Sequence, residues 1–496
     1  MIVEPVQGDS NLSGGMFPYF CHIPVRYIGY CRDIETVTSL AKGRDDMGIK
    51  EQIYNRSPLF LQHLFTTLYG YQLHRERYGP VYQERFRMLL EREHTTIDVK
   101  AEQLDRLNDF LRFCTEHSPY YRQLFTSHGI LLPLTDLSEL KHIPVLSKEI
   151  LRTHMEDIQT DVAAPIIGKT GGTTGTSLQV RYTIPDMQIR MAHLDYFKAT
   201  HGVRRGMRRA SFTAQDLVPE RQQSDVYWRM NRAANQLLFT VKRLSPRTMA
   251  AYLEAIERFQ PETIDGLPSA MIELARFAKR EGIRLTCQPI AIFPTAERID
   301  AEERQVIEEV FHGPVFDQYA SSEGAPIVSE CRFGQKHLHH EMGIIELDTD
   351  GEILVTSFDT HGTPLIRYRV GDRMTLSQRT CSCGHPGPII ESIDGRGRAF
   401  IQKPDGQKIF EAQLASLVKH LPNSIERIQY VQMTTDSVSI YYVPDAKRFS
   451  QSDEHLLMER LYRLFGRDIH LDVQAVSYID AEESGKILLV KSSLTG

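Results

Sequence analysis

The sequence predicts an α/β protein: a large, multi-layer N-terminal α/β domain that begins with a helical layer, followed by a small α+β domain at the C-terminal end. Residues from about 51 to 128 carry apolar side chains at helical spacing in two runs, SPLFLQHLFTTLYGYQL and AEQLDRLNDFLRFCTEHSPYYRQLF. From about residue 165, short β-rich runs alternate with helical segments, a pattern typical of α/β units with a largely parallel sheet. Beyond about residue 400, strand and helix signals recur as a separate group.

The elements between residues 179 and 319 support the α/β interpretation in turn. Strands are predicted in QVRYTI, CQPIAIFP and PVFDQY, and helices in SPRTMAAYLEAIERF, PSAMIELARFAKREGI and AEERQVIEEVF. After Gly343, the runs IIELDTDGEILVTSF and GTPLIRYRVGDRMTLS indicate hairpins, with Asp350 and Gly351 as a turn signal. The terminal group contains the strands IERIQYVQMTT and SVSIYYVP, the helix DEHLLMERLYRLFG and one further strand.

Length, composition and charge restrict the function classes. A chain of 496 residues, 41% of them hydrophobic, can fill the cores of roughly two to four domains. Its 58 basic and 64 acidic residues give a formal charge of −6, so we expect no nucleic-acid partner and no general attraction to anionic membranes. The basic cluster Arg204, Arg205, Arg208 and Arg209 is interpreted as solvated surface.

The N-terminal residues and the cysteines predict the compartment. The first residues lack the basic start and apolar core of a secretion signal, and no stretch reaches the roughly 18 uninterrupted apolar residues of a membrane span. Seven cysteines are few for this length and odd in number, which argues against a disulfide framework. The sequence therefore predicts a cytoplasmic protein without a membrane span, and it is compatible with a homodimer.

The segment KTGGTTGTS, from Lys169 to Ser177, is a candidate nucleotide loop. Its three glycines and several hydroxyl residues give an exposed backbone whose N–H groups can surround a polyphosphate. It is not a Walker A element, because the position that would need the first glycine is Ala163. A Gly/Thr surface loop is the alternative interpretation of the segment taken alone.

The order of several motifs resembles the adenylate-forming superfamily of acyl-CoA ligases and peptide-synthetase adenylation domains. TGGTTGTS is similar to its phosphate loop, QYASSEG (318–324) to its Tyr-Gly-x-x-Glu element and PLIRYRVGD (364–372) to its Tyr-Arg-x-Gly-Asp element. IDGR (393–396) is similar to its hinge, and AEESGKILLV (481–490) to its terminal lysine element. Within the superfamily, the chain looks most like the phenylacetate-CoA ligase branch, including related proteins from capsular polysaccharide gene clusters. The resemblance covers nearly the whole chain.

The resemblance implies a domain organisation and an activity. It implies an N-terminal domain over 1–394 (1–130 mainly a helical layer), a hinge at 395–400 and a mobile C-terminal domain over 401–496. The protein would activate a small carboxylic acid with ATP and Mg²⁺, forming an acyl-adenylate and pyrophosphate, and then transfer the acyl group to a thiol, with coenzyme A as the expected co-substrate. The site must therefore hold two anions together and disperse the charge on the reacting phosphate. The residues implied to hold the phosphates are Thr170, Gly171, Gly172, Thr173, Thr174, Gly175 and Thr176.

Residues of the later motifs would contact the rest of the nucleotide. Glu323 would bind the Mg²⁺ that accompanies ATP, and Tyr319 would stack on adenine. Ser322 belongs to the same nucleotide-binding motif. Asp372 would chelate the ribose hydroxyls, and Arg396 would contact ribose or phosphate.

Three residues are implied to take part in catalysis: Lys486, Glu323 and Thr174. The ammonium group of Lys486 would reach the carboxylate and the α-phosphate, and Thr174 would donate its hydroxyl. The hinge departs from the family pattern, because relatives usually carry acidic residues where this chain has Arg398 and Ala399. Domain rotation between the half-reactions would therefore be controlled differently from that in relatives.

A separate cysteine-rich pattern predicts a metal site. Cys331, Cys381 and Cys383 together with one histidine would make a tetrahedral Cys₃His set, for which Zn²⁺ is the usual occupant. Such a closed site would be structural. Unligated thiols are the alternative interpretation. The candidates for the fourth ligand are His337, His339 and His340. The resemblance favours His337, because some relatives place a histidine at the corresponding distance before the strand that starts at Ile344.

The acyl pocket and the acceptor are the parts that the sequence defines least. By resemblance, the acid would lie between residues 265–269 (DGLPS) and 292–296 (IFPTA), with apolar walls. Its identity is open. An amine or hydroxyl acceptor, as in polysaccharide tailoring or secondary metabolism, is the second hypothesis. A non-catalytic zinc-ribbon interaction module is the third.

Overall fold

A computed structural model describes residues 52–92, 98–169, 179–219, 221–321, 323–349, 351–394, 399–411, 413–414, 417, 424–445, 447–479 and 488–494. Residues 1–57 and residues 58–496 are separate compact units. In the first unit, residues 52–56 are helical, and the Ser57 hydroxyl donates to the Ile53 carbonyl at 2.6 Å. Among the described residues, none of the helices has both the length and the apolar character needed to cross a membrane.

Four helices open the second unit, as the sequence predicts. They are α1 (Leu59–Arg77), α2 (Pro80–Arg92), α3 (Val99–His117) and α4 (Pro119–His128). Helix α3 begins at Asp98, whose carboxylate accepts from the N–H groups of Lys100 and Ala101, an arrangement that satisfies two otherwise unpaired donors. Helix α4 ends at Gly129, which adopts the left-handed conformation that terminates many helices.

A connecting region joins these helices to the sheets. It contains a 3₁₀ helix (Leu137–His142), the short helices α5 (Lys148–Thr153) and α6 (Met155–Ile158), the hairpin β1 (Ile166–Lys169) and β2 (Gln179–Tyr182), and helix α7 (Ile184–Thr200). A capping box formed by Thr183 and Asp186 fixes the start of α7.

A five-stranded sheet forms the first large core. Its strands are β3 (Arg209–Thr213), β4 (Trp228–Asn231), β5 (Gln236–Thr240), β6 (Thr263–Gly266) and β7 (Ala291–Pro294), in the spatial order β4-β5-β3-β6-β7. Only the β4–β5 pair is antiparallel, which confirms the expected largely parallel sheet. The helices α8 (Met249–Phe259), α9 (Pro268–Glu281) and α10 (Ala301–Phe311) contribute apolar faces to its core. Short 3₁₀ helices flank β5 (Arg232–Ala234 and Val241–Arg243).

Helix α1 covers the edge of this sheet. The Met230 N–H donates to His63 Nδ1 at 3.0 Å, and the Thr67 hydroxyl donates to the Met230 carbonyl at 3.3 Å. The buried guanidinium of Arg229 donates to Gln62 Oε1 at 2.9 Å. Polar groups of α1 therefore satisfy an edge strand that would otherwise be open to pairing with another chain.

An antiparallel seven-stranded sheet forms the second core. Its strands are β8 (Gln318–Tyr319), β9 (Val328–Glu330), β10 (Lys336–Leu338), β11 (Gly343–Leu347), β12 (Glu352–Ser357), β13 (Leu365–Leu376) and β14 (Ile389–Asp394), with a 3₁₀ turn at His340–Met342. The spatial order is β11-β12-β13-β14-β10-β9-β8. The β11–β12 hairpin confirms the interpretation of residues 344–358. Helices α3 to α6 bury their apolar faces against this sheet.

The N-terminal helices pack against three different parts of the protein. Helix α1 packs on the five-stranded sheet, α2 packs on α7 through Tyr82, Leu89 and Ala192, and α3 and α4 pack on the seven-stranded sheet. Apolar periodicity marks the buried face of a helix, but it does not say which sheet that face meets.

The described C-terminal residues build a small α+β structure, in agreement with the sequence. Strands β15 (Phe400–Gln402) and β16 (Lys408–Phe410) form a hairpin. Strands β17 (Ile425–Thr434), β18 (Ser437–Pro444), β19 (His470–Ala475) and β20 (Val490–Ser492) form a sheet in the order β19-β18-β17-β20. Helix α11 (Gln451–Phe465) packs on a core of its own within this segment.

Three arginines of the basic cluster, Arg204, Arg205 and Arg208, are exposed, as interpreted from the sequence. The fourth, Arg209, is half-buried and lies 3.6 Å from Asp265, so the surface interpretation does not hold for it. The Arg205 guanidinium lies 4.5 Å from the Tyr78 ring centroid, and Arg208 is 3.6 Å from Glu262. Arg205 and Arg208 therefore interact with other residues of the chain.

Candidate nucleotide and metal sites

Tyr319 and Asp372 come from distant strands and meet. The Tyr319 hydroxyl donates to Asp372 Oδ2 at 2.9 Å, although β8 and β13 are four places apart in the sheet order. A flat sheet would separate such strands by roughly 19 Å. The seven-stranded sheet is therefore curled, and its concave side brings two of the sequence-predicted nucleotide residues together.

Glu323 and Asp372 act on the same buried tyrosine. Burial raises the pKa of the Tyr368 phenol, and the negative charges of Glu323 and Asp372 raise it further. Burial and the charge of Glu323 likewise raise the pKa of Tyr182. Two carboxylates that the sequence singled out thus act on one buried tyrosine of β13.

The turn that carries Glu323 is closely packed. Gly324 has a φ of +87°, and a Cβ there would lie 2.9 Å from the Tyr182 hydroxyl and 2.7 Å from Thr360 Cγ2. The buried Arg190 donates to two carbonyls of the same turn. Neither Arg190 nor Tyr182 could be recognised from the sequence, because an arginine within a helical run and a tyrosine within a strand carry no motif signal.

The remaining predicted nucleotide and catalytic residues lie outside the described part of the chain. Lys169 and Gln179, which precede and follow residues 170–178 in the chain, pair with each other between β1 and β2. The predicted residues outside the described ranges are Thr170, Gly171, Gly172, Thr173, Thr174, Gly175, Thr176, Ser322, Arg396 and Lys486.

The two segments predicted for the acyl pocket end neighbouring parallel strands. Gly266 of β6 pairs with Pro294 of β7, and the Thr295 N–H donates to the Gly266 carbonyl at 2.9 Å. Gly266 has a φ of +119°, and a Cβ there would lie 2.1 Å from the Phe212 carbonyl oxygen, so only glycine fits. Gln318 Nε2 donates to the Pro294 carbonyl at 3.4 Å, which joins this sheet edge to the strand that carries Tyr319.

Asp265, at the start of the first of these segments, is bound within the protein. Its carboxylate is 2.8 Å from the Lys198 ammonium and 3.6 Å from the Arg209 guanidinium, and it accepts from the Ser211 hydroxyl. Although burial opposes ionisation, the two cations lower the pKa of Asp265 to about 2. This carboxylate therefore anchors β6 to its neighbours.

The four predicted metal ligands converge. One potential ligand atom from each of Cys331, His337, Cys381 and Cys383 lies within 4.8 Å of the others. The Cys331 and Cys381 sulfurs are 3.7 Å apart, and Cys383 Sγ is 3.3 Å from His337 Nε2. Cys331 and His337 belong to the β9–β10 hairpin, whereas the other two cysteines lie in the β13–β14 connection.

The surroundings of the cluster suit a divalent cation. His337 Nδ1 is 3.3 Å from the Gly387 carbonyl, an arrangement that leaves Nε2 free of a proton and directed at the sulfurs. Burial lowers the pKa of His337, which keeps the ring in the neutral form that binds metals. Burial, the Cys381 thiol and the charge of Cys331 raise the pKa of Cys383 to about 12. Three thiolates at this separation repel one another, and a divalent cation offsets that repulsion.

The two other candidate histidines have different surroundings. His339 Nδ1 is 3.1 Å from His193 Nδ1, and His339 Nε2 is 2.7 Å from the Ser329 hydroxyl. His340 is fully buried between Glu102 and Glu341, at 3.7 and 3.6 Å. The geometry therefore places His337, and neither of the others, among the three sulfurs.

Comparison with known proteins identifies the family. The model of the CapK C-terminal domain matches residues 401–493. Protein CapK of Staphylococcus aureus is 30% identical over 444 residues, which cover 88% of this chain and 97% of that protein. A phenylacetate-coenzyme A ligase of Thermus thermophilus is 24% identical over 413 residues, covering 77% and 86% of the two chains.

A solved structure agrees with the fold. The crystal structure of 2-hydroxyisobutyryl-CoA ligase in complex with 2-HIB-AMP and CoA, in the thioesterification state, matches with a TM-score of 0.52 at 16% identity, over 81% of this chain and 92% of that one. The chain belongs to the CapK family, in the phenylacetate-CoA ligase-like branch of the adenylate-forming superfamily. These relatives support an enzyme of the AMP-forming ligase class. The family and the fold class predicted from the sequence are confirmed.

Proposed function

We propose that this protein activates a carboxylic acid with ATP, releasing pyrophosphate, and then transfers the acyl group from the adenylate to coenzyme A. The observation that carries the proposal is the contact between Tyr319 and Asp372 on the concave side of the sheet. The charges of Glu323 and Asp372 both raise the pKa of the buried Tyr368. An aromatic ring, a ribose chelator and a metal-binding carboxylate are the groups that a nucleotide with Mg²⁺ requires.

Each residue then has a defined task. Asp372 accepts from the ribose hydroxyls, and the Tyr319 ring covers one face of adenine. Glu323 holds Mg²⁺, which neutralises phosphate charge when it is bound. The loop from Thr170 to Thr176 holds the phosphates with its N–H and hydroxyl groups.

Lys486 and Arg396 complete the site in this proposal. The Lys486 ammonium stabilises the negative charge that builds where the carboxylate attacks the α-phosphate. Arg396 lies in the hinge, 395–400, about which the C-terminal domain, 401–496, would rotate between the half-reactions. ATP and coenzyme A are available in the cytoplasm, where we place the protein.

Zinc has a structural role in this proposal. Cys331, His337, Cys381 and Cys383 would hold one Zn²⁺ and join the β9–β10 hairpin to the β13–β14 connection. Four protein ligands leave no open coordination position for a substrate. The metal would then stabilise the sheet that carries Tyr319 and Asp372 without taking part in the reaction.

An amine or hydroxyl acceptor is the second candidate for the acyl transfer step. The hinge sequence supports this alternative, because Arg398 and Ala399 stand where relatives usually carry acidic residues. A changed hinge would alter the second half-reaction while leaving adenylation intact.

The test is a panel of aromatic, aliphatic and hydroxy acids in ATP–pyrophosphate exchange. Exchange that depends on one class of acid supports adenylation, and ATP binding without exchange for any acid contradicts it. Hits are then incubated with coenzyme A, amines or sugars. Release of AMP with coenzyme A alone establishes thioester formation, whereas release with an amine or sugar but not with coenzyme A establishes the alternative.

A further inference from the structure

Arg190 joins helix α7 to the turn that carries Glu323. Its Nη2 donates to the Ser321 carbonyl at 3.2 Å, and its Nη1 donates to the Ala325 carbonyl at 3.3 Å. These two carbonyls lie on either side of residues 322–324. A planar guanidinium can bridge two acceptors in a fixed geometry, whereas a single ammonium cannot.

The helix holds Arg190 in place. The residue is 8% exposed, and its guanidinium carbon lies 6.0 Å from the Tyr182 ring centroid. The start of α7 is fixed by its capping box and by the contact between Asp186 and His361. One turn further on, His193 is 3.1 Å from His339, so the helix is also held near the β10 strand.

Further contacts confine the turn. Gly324 packs against Tyr182 and Thr360 with no room for a Cβ, and the Ala325 N–H donates to the Ser321 hydroxyl at 3.1 Å. Arg190 contributes the buried cation among these contacts. A metal-binding carboxylate on this turn would therefore be oriented by interactions that do not themselves touch the ligand.

We propose that Arg190 is a positioning residue that orients Glu323 for the binding of Mg²⁺ with ATP. The inference rests on the proposed function. Arg190→Lys keeps the positive charge but lacks the planar fork whose two nitrogens reach the two carbonyls. Affinity for MgATP should therefore fall roughly tenfold or more, since small displacements of a positioned group are costly. Affinity for ATP in EDTA should stay unchanged.

The experiment measures the dissociation constant for ATP by calorimetry, with Mg²⁺ and with EDTA, for the wild type and Arg190→Lys. Arg229→Lys is the matched control: Arg229 is also buried and donates to backbone carbonyls, but it lies at the edge of the other sheet. It should lower stability and leave both dissociation constants unchanged. Should Arg190→Lys not fold, Gly324→Ala tests the same turn and should show the same Mg²⁺-specific loss.

Two outcomes overturn the inference: an equal loss of affinity with and without Mg²⁺, or no loss in either. Failure of the proposed function can be told apart from these outcomes. A wild type that binds MgATP but shows no pyrophosphate exchange with any acid would contradict the proposed function, and the dissociation constants of wild type and Arg190→Lys could still be compared. A wild type whose ATP affinity does not depend on Mg²⁺ would contradict both.

Discussion

The hydroxyl of Tyr319 and the carboxylate of Asp372 are joined by a 2.9 Å hydrogen bond across the curled seven-stranded sheet. The bond links the residue proposed to cover adenine with the residue proposed to hold ribose. The two should therefore act on nucleotide binding as a pair.

Replacing Asp372 should weaken the binding of ATP as well as turnover. We expect Asp372→Ala to raise the KM for ATP about tenfold or more, because a ground-state contact is lost. Tyr319→Phe keeps the ring and loses one hydrogen bond, so its effect should be about fivefold. Initial rates of pyrophosphate exchange measure both. Equal ATP titrations for wild type and Asp372→Ala would remove the ribose assignment.

Lys486 should affect the reaction rate far more than binding. We predict that Lys486→Ala lowers adenylation by roughly 10²–10⁴-fold, equivalent to about 3–5 kcal/mol of transition-state stabilisation, with an unchanged unfolding midpoint. Lys447, an exposed lysine that also lies within residues 401–496, provides the control. Lys447→Ala should behave like the wild type. Near-normal exchange in Lys486→Ala would exclude this lysine from the mechanism.

The cysteine cluster predicts about one zinc per chain after reducing, chelator-free purification. Cys381→Ser and His337→Ala should lose the metal and lower the free energy of unfolding, whereas His340→Gln should retain the metal. Ser382, exposed between two of the cysteines, offers a matched control in Ser382→Ala. Metal analysis that finds no zinc, together with unchanged stability of Cys381→Ser, would show that these are free thiols.

His361 should make stability depend on pH. Burial opposes its charged form, but the hydrogen bond and charge of Asp186, with a further contribution from Asp359 and against that of Arg106, raise its pKa. Because the pKa of His361 is higher in the folded protein than the unfolded value of about 6.5, protonated His361 stabilises the folded state fully at pH values below the unfolded pKa. This contribution is lost as the pH rises through the folded-state pKa. In urea unfolding from pH 5.5 upwards, the free energy of unfolding should therefore decline less steeply with pH for His361→Gln than for the wild type.

The control for this measurement is His128→Gln, since His128 is an exposed histidine on α4. Its curve should run parallel to that of the wild type. A wild-type curve that rises over the same pH interval would contradict the role of the His361–Asp186 pair.

Gln62 should contribute more to the free energy of unfolding than an exposed glutamine of the same helix. Gln62→Leu removes an acceptor from the buried guanidinium of Arg229, and we expect a loss of about 2 kcal/mol in the free energy of unfolding. Gln72→Leu changes an exposed glutamine of the same helix and should cost much less. Equal unfolding midpoints for the two variants would show that the Gln62 contact adds nothing.

The sequence predicted those parts of the fold and site that local pattern encodes. Strand and helix runs gave the sheets and the C-terminal α+β segment, and cysteine spacing led to the four ligands that converge. The motif around Tyr319 and the motif around Asp372 were recognisable separately. Their contact was not, because it depends on the curl of a sheet whose spatial order departs from chain order.

Buried polar contacts between distant elements were the other part that escaped prediction. Arg190 sits in a helix whose apolar pattern gives no sign that one cation reaches two carbonyls of a turn more than 130 positions later. Arg229 and Gln62 are likewise ordinary residues in their own segments. Such pairs become visible only when packing excludes water around them.

The cover that α1 provides for β4 also bears on how the chain is made. Gln62 and Arg229 are 167 positions apart, so closing this contact in a denatured chain is entropically costly and slow. On the ribosome, however, residues 59–77 emerge first and precede the strand by roughly 10–30 s at ordinary synthesis rates. The edge strand thus finds its cover already present during synthesis, whereas refolding from denaturant leaves it open to other chains until the helix returns.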